Sequence, residues 1–310
     1  MPQILTLTMN PALDIATATE LVVPAEKLRC AEPRYDPGGG GIDVARAVHM
    51  LGGDALAVFP VGSLSGEMLS RLLDGEGVPH SAAPISGITR ESLAVFERQS
   101  GKQYRFILPG PSIGAHDQER CLDALAKQIA GASFLVASGS LPPGVPADFY
   151  GRVAALPRVD SLRFVLDTSG AALACAGNGL YLIKTSLHEL EELTGAELRT
   201  EPEEENAARA VIAQGRAEIL VVSLGAHGAL LATAAAMRRF AAIPVTAASG
   251  SVGAGDSMVA GIVLSLVRGR SLTEAVRYGM AAGAAALLRP GTELCRLEDT
   301  ERLYRAMPPA

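Results

Sequence analysis

The sequence predicts an α/β fold, a mainly parallel sheet with helices on both faces and a small β appendage. Three observations carry this. From residue 55 to residue 224, short apolar β-type runs alternate with helical stretches, the rhythm that parallel crossovers impose. Hydrophobic residues make up 48% of the chain, but aromatics only 4% and Trp is absent, which suits small-residue helices packed closely on a sheet. Two segments, 15–35 and 88–108, break the rhythm with β-formers and prolines. A length of 310 residues fits one unit, 1–310, with those two segments as its appendage.

Ile4–Thr8 reads as a short buried strand, and Asn10-Pro-Ala-Leu-Asp14 leaves it. Ligands of open α/β sheets bind beyond the carboxyl ends of strands, so Asp14 is placed to touch one, or else stabilises a turn. Residues 15–35 read as an extended hairpin, with Lys27 and Arg29 alternating across Leu28. Ser92–Leu108 reads as strand, turn at Ser100-Gly101, strand, and adds Arg105, with Arg90 just ahead of it. Four bases on two β segments form either an anion clamp or a solvated sheet face. Gly38–Gly41 opens a helix that carries Asp43 in its first turn, leaving backbone amides bare toward a polar ligand.

The alternation then gives strands at Ala55–Val61, Phe134–Ser138, Leu162–Asp167, Tyr181–Lys184 and Ile219–Leu224. Helices are expected at Gly66–Gly77, Asp117–Ala130, Pro146–Leu156, Gly170–Ala176, Ser186–Thr194 and Glu203–Gln214, and again after Ser251, Thr273 and Glu298. A net charge of −6 argues against nonspecific binding to nucleic acid or anionic membrane, so any phosphate must be met by a local cluster of bases. No apolar run is long enough to span a membrane, and no basic leader precedes the first strand. Four scattered cysteines without a CxxC pair read as reduced, mostly buried thiols of a cytoplasmic protein, and a zinc site is not expected.

The strongest chemical signal is Ser251-Val-Gly-Ala-Gly-Asp256, followed at once by an apolar helical run. Helix-start amides lack intrahelical partners, and the dipole favours an anion there. Glycine admits a phosphate close to the backbone. A carboxylate at the lip can take a proton from an attacking hydroxyl, the part needed for phosphoryl transfer to an alcohol. A Gly-rich turn with a capping Asp would leave the same short trace.

Taken together, these motifs resemble the PfkB branch of the ribokinase-like carbohydrate kinases over nearly the whole chain. Gly38–Gly41 with its helix is similar to that family's first signature, and Ser251–Asp256 to its second, which usually starts with Thr. Lys27-Leu-Arg-Cys30, Gln103-Tyr-Arg-Phe106, Ser138-Gly-Ser-Leu-Pro-Pro-Gly144 and Gly291-Thr-Glu-Leu-Cys295 tighten it toward the minor 6-phosphofructokinase type. Asn10–Asp14 is also similar to the 1-phosphofructokinase and tagatose-6-phosphate kinase subgroup.

The resemblance implies a three-layer α/β/α core with a small β lid, formed by 15–35 and 88–108, through which two copies pair as a homodimer. It implies ATP-dependent phosphorylation of a phosphorylated ketohexose, fructose 6-phosphate first, with tagatose 6-phosphate and fructose 1-phosphate as alternatives. A sugar-phosphate and ATP sensor without turnover is the competing class. Asp256 is then the base, with Gly253, Ala254 and Gly255 giving amides to the moving phosphoryl group. Asp14, Gly39, Gly40 and Asp43 hold sugar hydroxyls. Lys27, Arg90, Arg105 and Ser140 hold the substrate phosphate, Lys27 from its own chain or its neighbour's lid. Lys184, Ser186, Ser223, Gly225, Gly228 and Ser251 line the nucleotide site. Glu189 organises Mg²⁺, directly or through water, and the resemblance also admits a monovalent cation. Two departures stand out: the family's Asn-x-x-Glu element is Ser186-Leu-His-Glu189, and its first signature carries Asn where this chain has Asp43.

Overall fold

The computed structural model describes residues 2–156, 162–246 and 252–308. The chain begins with β1 (Ile4–Leu7), β2 (Ala12–Thr19) and β3 (Arg34–Gly38), which runs into α1 (Gly40–Met50). β4 (Ala55–Val61), α2 (Ser63–Glu76) and β5 (His80–Pro84) follow, then β6 (Arg90–Glu97) and β7 (Gln103–Ile107). The middle of the chain runs α3 (Ala115–Ala126), β8 (Phe134–Ser138), α4 (Phe149–Ala154), β9 (Arg163–Asp167), α5 (Gly170–Ala174) and β10 (Leu180–Ser186). α6 (Leu187–Thr194) and α7 (Glu201–Ala213) lead to β11 (Ala217–Ser223), β12 (Ala229–Thr233) and β13 (Met237–Phe240). Three helices end it: α8 (Ala254–Val267), α9 (Leu272–Leu287) and α10 (Leu297–Ala306).

The large sheet has the order β13-β12-β11-β10-β9-β8-β1-β4-β5. It is parallel from β11 to β5, and only β12 and β13 join antiparallel. Strand side chains alternate between two cores. Ile4, Phe134 and Val136 face α1, α8 and α9, whereas Leu5, Leu135 and Ala137 face α3, α4, α6 and α7. Burial on both sides explains why these strands read as continuous apolar runs. α8 is itself buried almost all round, and Gly261 lets it lie against α9: a Cβ there would stand 2.8 Å from Gly279 Cα. That packing fixes where α8 starts.

The small sheet has the order β3-β2-β6-β7, with β2 and β6 parallel and the outer pairs antiparallel. Two expectations change here. The first appendage segment is no continuous hairpin: β2 starts at Ala12, β3 ends at Gly38, and residues 20–33 between them form no strand. Pro24 and Pro33 supply no ladder donor, which excludes regular pairing at those points. Lys27 and Arg29 therefore stand on an exposed loop and do not alternate along a strand. Asp14, read as touching a ligand or stabilising a turn, lies inside β2, which excludes the turn. Strands β5, β12 and β13 were not legible in the sequence, because short Ala-rich or charged stretches hide the period of 2. The cysteines divide evenly: Cys121 and Cys295 are buried, Cys30 and Cys175 exposed. Among the described residues no helix is long and apolar enough to cross a membrane.

Candidate active site

The carboxyl ends of β8, β9 and β10 and the starts of α1 and α8 open into one cavity of about 330 Å³, and the small sheet closes its far side. Its position is the one that open α/β sheets offer to ligands. Asp14, Gly39, Gly40, Asp43, Arg90, Arg105, Ser140, Lys184, Glu189, Gly253, Gly255 and Asp256, all picked out from sequence, line it.

On the core side, Gly253 caps α8 at φ 73°, a left-handed value that glycine adopts freely. Asp256 falls in the first turn, and the helix-start amides of Ala254, Gly255 and Asp256 are the ones a helix leaves unspent. The Ser138 hydroxyl donates to Asp256 Oδ1 at 3.2 Å. Lys184 Nζ lies 3.3 Å from both oxygens of Asp167. Burial raises Asp256 to about 7, the Asp167 charge adds to this, and Lys184 and Ser138 pull it back. Burial also raises Asp167, against the pull of Lys184. For Lys184, burial acts downward, but the charges of Asp167, Asp256 and Glu189 outweigh it and hold the ammonium above its usual value. The result is a carboxyl of raised pKa in the field of an ammonium, at a helix start with unspent amides.

Gly255 has a second reason to be glycine. A Cβ there would stand 2.9 Å from Lys184 Nζ. Gly255→Ala is expected to displace the ammonium and lower kcat by about 10²-fold, the usual cost of moving a positioned group by about an ångström. Gly75→Ala on α2, with nothing within 4 Å, is the steady-state control and should run at the parent rate.

On the lid side, Asp14 of β2 is the register partner of Ser92 on β6, and Ser92 that of Ile107 on β7. Arg90 and Arg105 share this face. Arg90 donates to the carbonyls of Asn10 at 3.1 Å and Leu108 at 3.3 Å, and its buried Nε has no partner. Among the described residues neither arginine has a carboxylate within ion-pair distance, so both charges remain for an anion. Burial raises Asp14 to about 6 against the pull of Arg90 and Arg105. The Asn10 amide holds the Ser140 hydroxyl at 3.2 Å.

The four-glycine run does more than bare the backbone. A Cβ at Gly38 would strike the Asp14 carboxylate, and one at Gly40 the Ser138 hydroxyl. One at Gly41 would lie 2.6 Å from Leu7 O. Gly39, at φ 116°, lines the cavity with Gly40. The run lets α1 start directly against β1, β8 and the lid. Asp43 follows, half-buried, with Arg46 Nη1 donating to its Oδ1 at 3.3 Å. Burial pushes Asp43 well above the carboxylate range, Asp256 next, and Arg46 opposes them.

Several expected residues stand elsewhere. Lys27 is exposed on the 20–33 loop. Ser186 and Ser223 are register partners at the ends of β10 and β11, with Gly225 and Gly228 in the turn that follows. They continue the same rim but do not line the cavity. Gly228 has a packing reason, since a Cβ there would collide with the Phe240 carbonyl. Ala254 begins α8 and offers only its backbone, and Ser251 lies outside the described residues. The Ser186 hydroxyl caps α6 by accepting from the Glu189 amide at 3.3 Å, while Glu189 Oε2 accepts from the Ser186 amide at 2.6 Å. Where the family carries Asn, Ser186 thus closes a complete capping box that fixes Glu189. Sequence reasoning missed Ser138, Asp167, Thr168 and Ser169 as cavity residues, although each sits at or just beyond a strand's carboxyl end.

Comparison with known proteins agrees with this geometry. The model of the pfkB family carbohydrate kinases matches residues 7–300. The ATP-dependent 6-phosphofructokinase isozyme 2 of Mycobacterium tuberculosis is 56% identical over 303 residues, covering 98% of this chain and 89% of that protein. Two crystal structures of phosphofructokinase-2 from Escherichia coli superpose closely. One, in complex with potassium, has a TM-score of 0.93 at 41% identity and covers 98% of this chain and 99% of that one. The other, in complex with fructose-6-phosphate, has a TM-score of 0.91 at 40% identity and covers 99% of both chains. The chain belongs to the pfkB family of carbohydrate kinases.

Proposed function

We propose that this chain is an ATP-dependent 6-phosphofructokinase, moving the γ-phosphoryl group of ATP onto fructose 6-phosphate to give fructose 1,6-bisphosphate. The observation that carries this is the polarity of the cavity. Asp256 and the α8 amides form one end, and Arg90 and Arg105, free of carboxylate partners, form the other. In a chain of net charge −6, two exposed-to-ligand cations facing a base fit a sugar whose far end is a phosphate.

In this reading Asp14, Gly39, Gly40 and Asp43 hold the sugar, and Arg90, Arg105 and Ser140 hold its phosphate. Asp256 takes the proton from the attacking hydroxyl as the amides of Gly253, Ala254 and Gly255 and the Lys184 ammonium stabilise charge on the moving group. Nucleotide runs from there along the rim of Ser186, Ser223, Gly225 and Gly228, with Ser251 beside it. Among the described residues no three His, Cys, Asp or Glu side chains are placed to cage an ion. That fits a Mg²⁺ carried on ATP phosphates, which needs only one or two carboxylates. Glu189, fixed by its capping box, would hold it, and the ion would neutralise phosphate charge. The potassium in the Escherichia coli structure supports a monovalent cation as well. Two exposed free thiols, Cys30 and Cys175, suit a reducing cytoplasm.

We also propose a homodimer through the lid. Leu93 and Phe106, register partners on β6 and β7, are 36% and 52% exposed on the face opposite the cavity-lining Ser92 and Ile107, and Leu108 just beyond β7 is 53% exposed, apolar groups that a monomer would leave wet. Phe106→Glu is expected to convert a dimer into a monomer in sedimentation. A parent that is itself monomeric, or a variant that stays dimeric, would remove the lid from the interface. If Lys27 acts across that interface, the monomer also loses affinity for the sugar phosphate.

The activity is tested by ADP release against a panel of fructose 6-phosphate, fructose 1-phosphate, tagatose 6-phosphate and ribose. Fructose 6-phosphate should give the highest kcat/KM. A higher value with either other phosphosugar would reassign the substrate, and binding without turnover would leave a sensor.

A further inference from the structure

We propose that Asp43 works in the sugar site as a neutral carboxylic acid that donates a hydrogen bond to a substrate oxygen, and that the site loses its sugar as Asp43 ionises. The inference rests on the sugar-site reading above and adds a protonation state to it.

Asp14, Asp43 and Asp256 all line one cavity of about 330 Å³, with Asp167 and Glu189 on its nucleotide side. Were every one ionised, a ligand already carrying phosphate charge would enter a ring of acceptors. A sugar hydroxyl has a single proton to give, and its oxygen needs a donor in return. An ionised Asp43 could only accept. A protonated one supplies the donor and removes a charge from the wall.

Which carboxyl keeps the proton follows from the neighbours. Asp256 has three supports for its ionised form: the Ser138 hydroxyl at 3.2 Å, the nearby Lys184 charge and a free amide in the first turn of α8. Asp43 has one, Arg46, and that guanidinium is largely committed elsewhere. Arg46 bonds both oxygens of Glu76, at 2.6 and 2.7 Å, and the Pro37 carbonyl at 2.9 Å. It reaches Asp43 only at 3.3 Å and Asp36 at 3.8 Å. The amide of Asp43 is also spent, on Gly39 O at 2.8 Å. The charged groups around Asp43 are thus Arg46 and Glu76 behind it, Asp36 on β3, Asp14 on β2 and Asp256 on α8, four carboxylates against one shared cation. Two neighbouring acids in unlike surroundings divide into a base and a proton donor. Here Asp256 is the base and Asp43 the donor.

This division predicts opposite pH limbs. Activity rises as Asp256 ionises and falls again as Asp43 ionises, the second limb appearing in KM for the sugar phosphate. Past that limb KM should climb by about tenfold per pH unit, as for loss of one essential proton. Asp43→Asn keeps a donor that does not titrate, so whatever its absolute KM, that KM should stay flat over the pH range where the parent's climbs. The ratio of parent to variant KM cancels ionisation of the substrate's own phosphate, which both enzymes share.

Glu76→Gln supplies an independent arm, remote from substrate. It releases Arg46 toward Asp43, favours the ionised acid, and should move the climbing limb to lower pH. The experiment measures KM for fructose 6-phosphate from pH 6 to 9.5 for parent, Asp43→Asn and Glu76→Gln. Loss of the limb in the first variant and its downward shift in the second support the proposal. A limb that persists in Asp43→Asn, or stays in place in Glu76→Gln, overturns it. A parent that phosphorylates no phosphosugar at any pH would instead sink the kinase reading beneath it.

Discussion

Asp256→Asn is expected to lower kcat by about 10²–10⁴-fold, the usual cost of losing a positioned base. KM for both substrates should change little. The amide is isosteric and can keep its contact with Ser138, and the amides at the start of α8 are backbone and unchanged by it. The pH profile gives a second signature. With Asp256 raised to about 7, the base is increasingly protonated as pH falls through that value, so kcat/KM of the parent should drop on the acid side. The residual rate of Asp256→Asn should lack that limb. Both are read from initial rates across pH. A variant turning over at the parent rate would take Asp256 out of the base role.

Arg90→Ala is expected to raise KM for the sugar phosphate roughly 10–150-fold, from a charge-assisted contact worth about 1.5–3 kcal/mol. KM for ATP should hardly move. The fold should survive, because Arg90 is tied only to the carbonyls of Asn10 and Leu108, and its loss leaves no ion-pair partner stranded. A thermal melt beside the kinetics separates the two effects. A variant whose ATP affinity falls instead would put the nucleotide, not the sugar, beneath the lid.

Both effects fall on residues that the sequence already marked, and the reason is local. Asp256 belongs to a glycine-rich helix start whose chemistry is written in consecutive residues. Arg90 and Arg105 are bases on β-type segments of an acidic chain, so their position across the cavity needed only the lid. The parallel core was legible for a similar reason: strands buried on both faces are unbroken apolar runs. What the sequence concealed depends on distant pairing. Pro24 and Pro33 bar regular pairing only at their own positions, so whether Lys27 between them lies on a loop or a strand turns on whether 20–33 finds a partner. Ser138, Asp167 and Thr168 join the site because β8 and β9 end side by side, a relation set by sheet order. The roles of Ser186 and Arg46 were hidden too. Ser186 closes a capping box with Glu189, and Arg46 is buried among Asp36, Asp43 and Glu76 from three different elements.

The central claim is that one cavity brings a sugar phosphate on the lid arginines to a phosphoryl group cradled at the start of α8. Phosphorus NMR of the purified protein with equimolar ATP, Mg²⁺ and fructose 6-phosphate tests it most directly. The account predicts that the γ-phosphorus signal disappears as ADP forms and that a second phosphate monoester appears on the sugar, with the original 6-phosphate retained. Release of inorganic phosphate with the sugar unchanged, or no consumption of ATP, would contradict it.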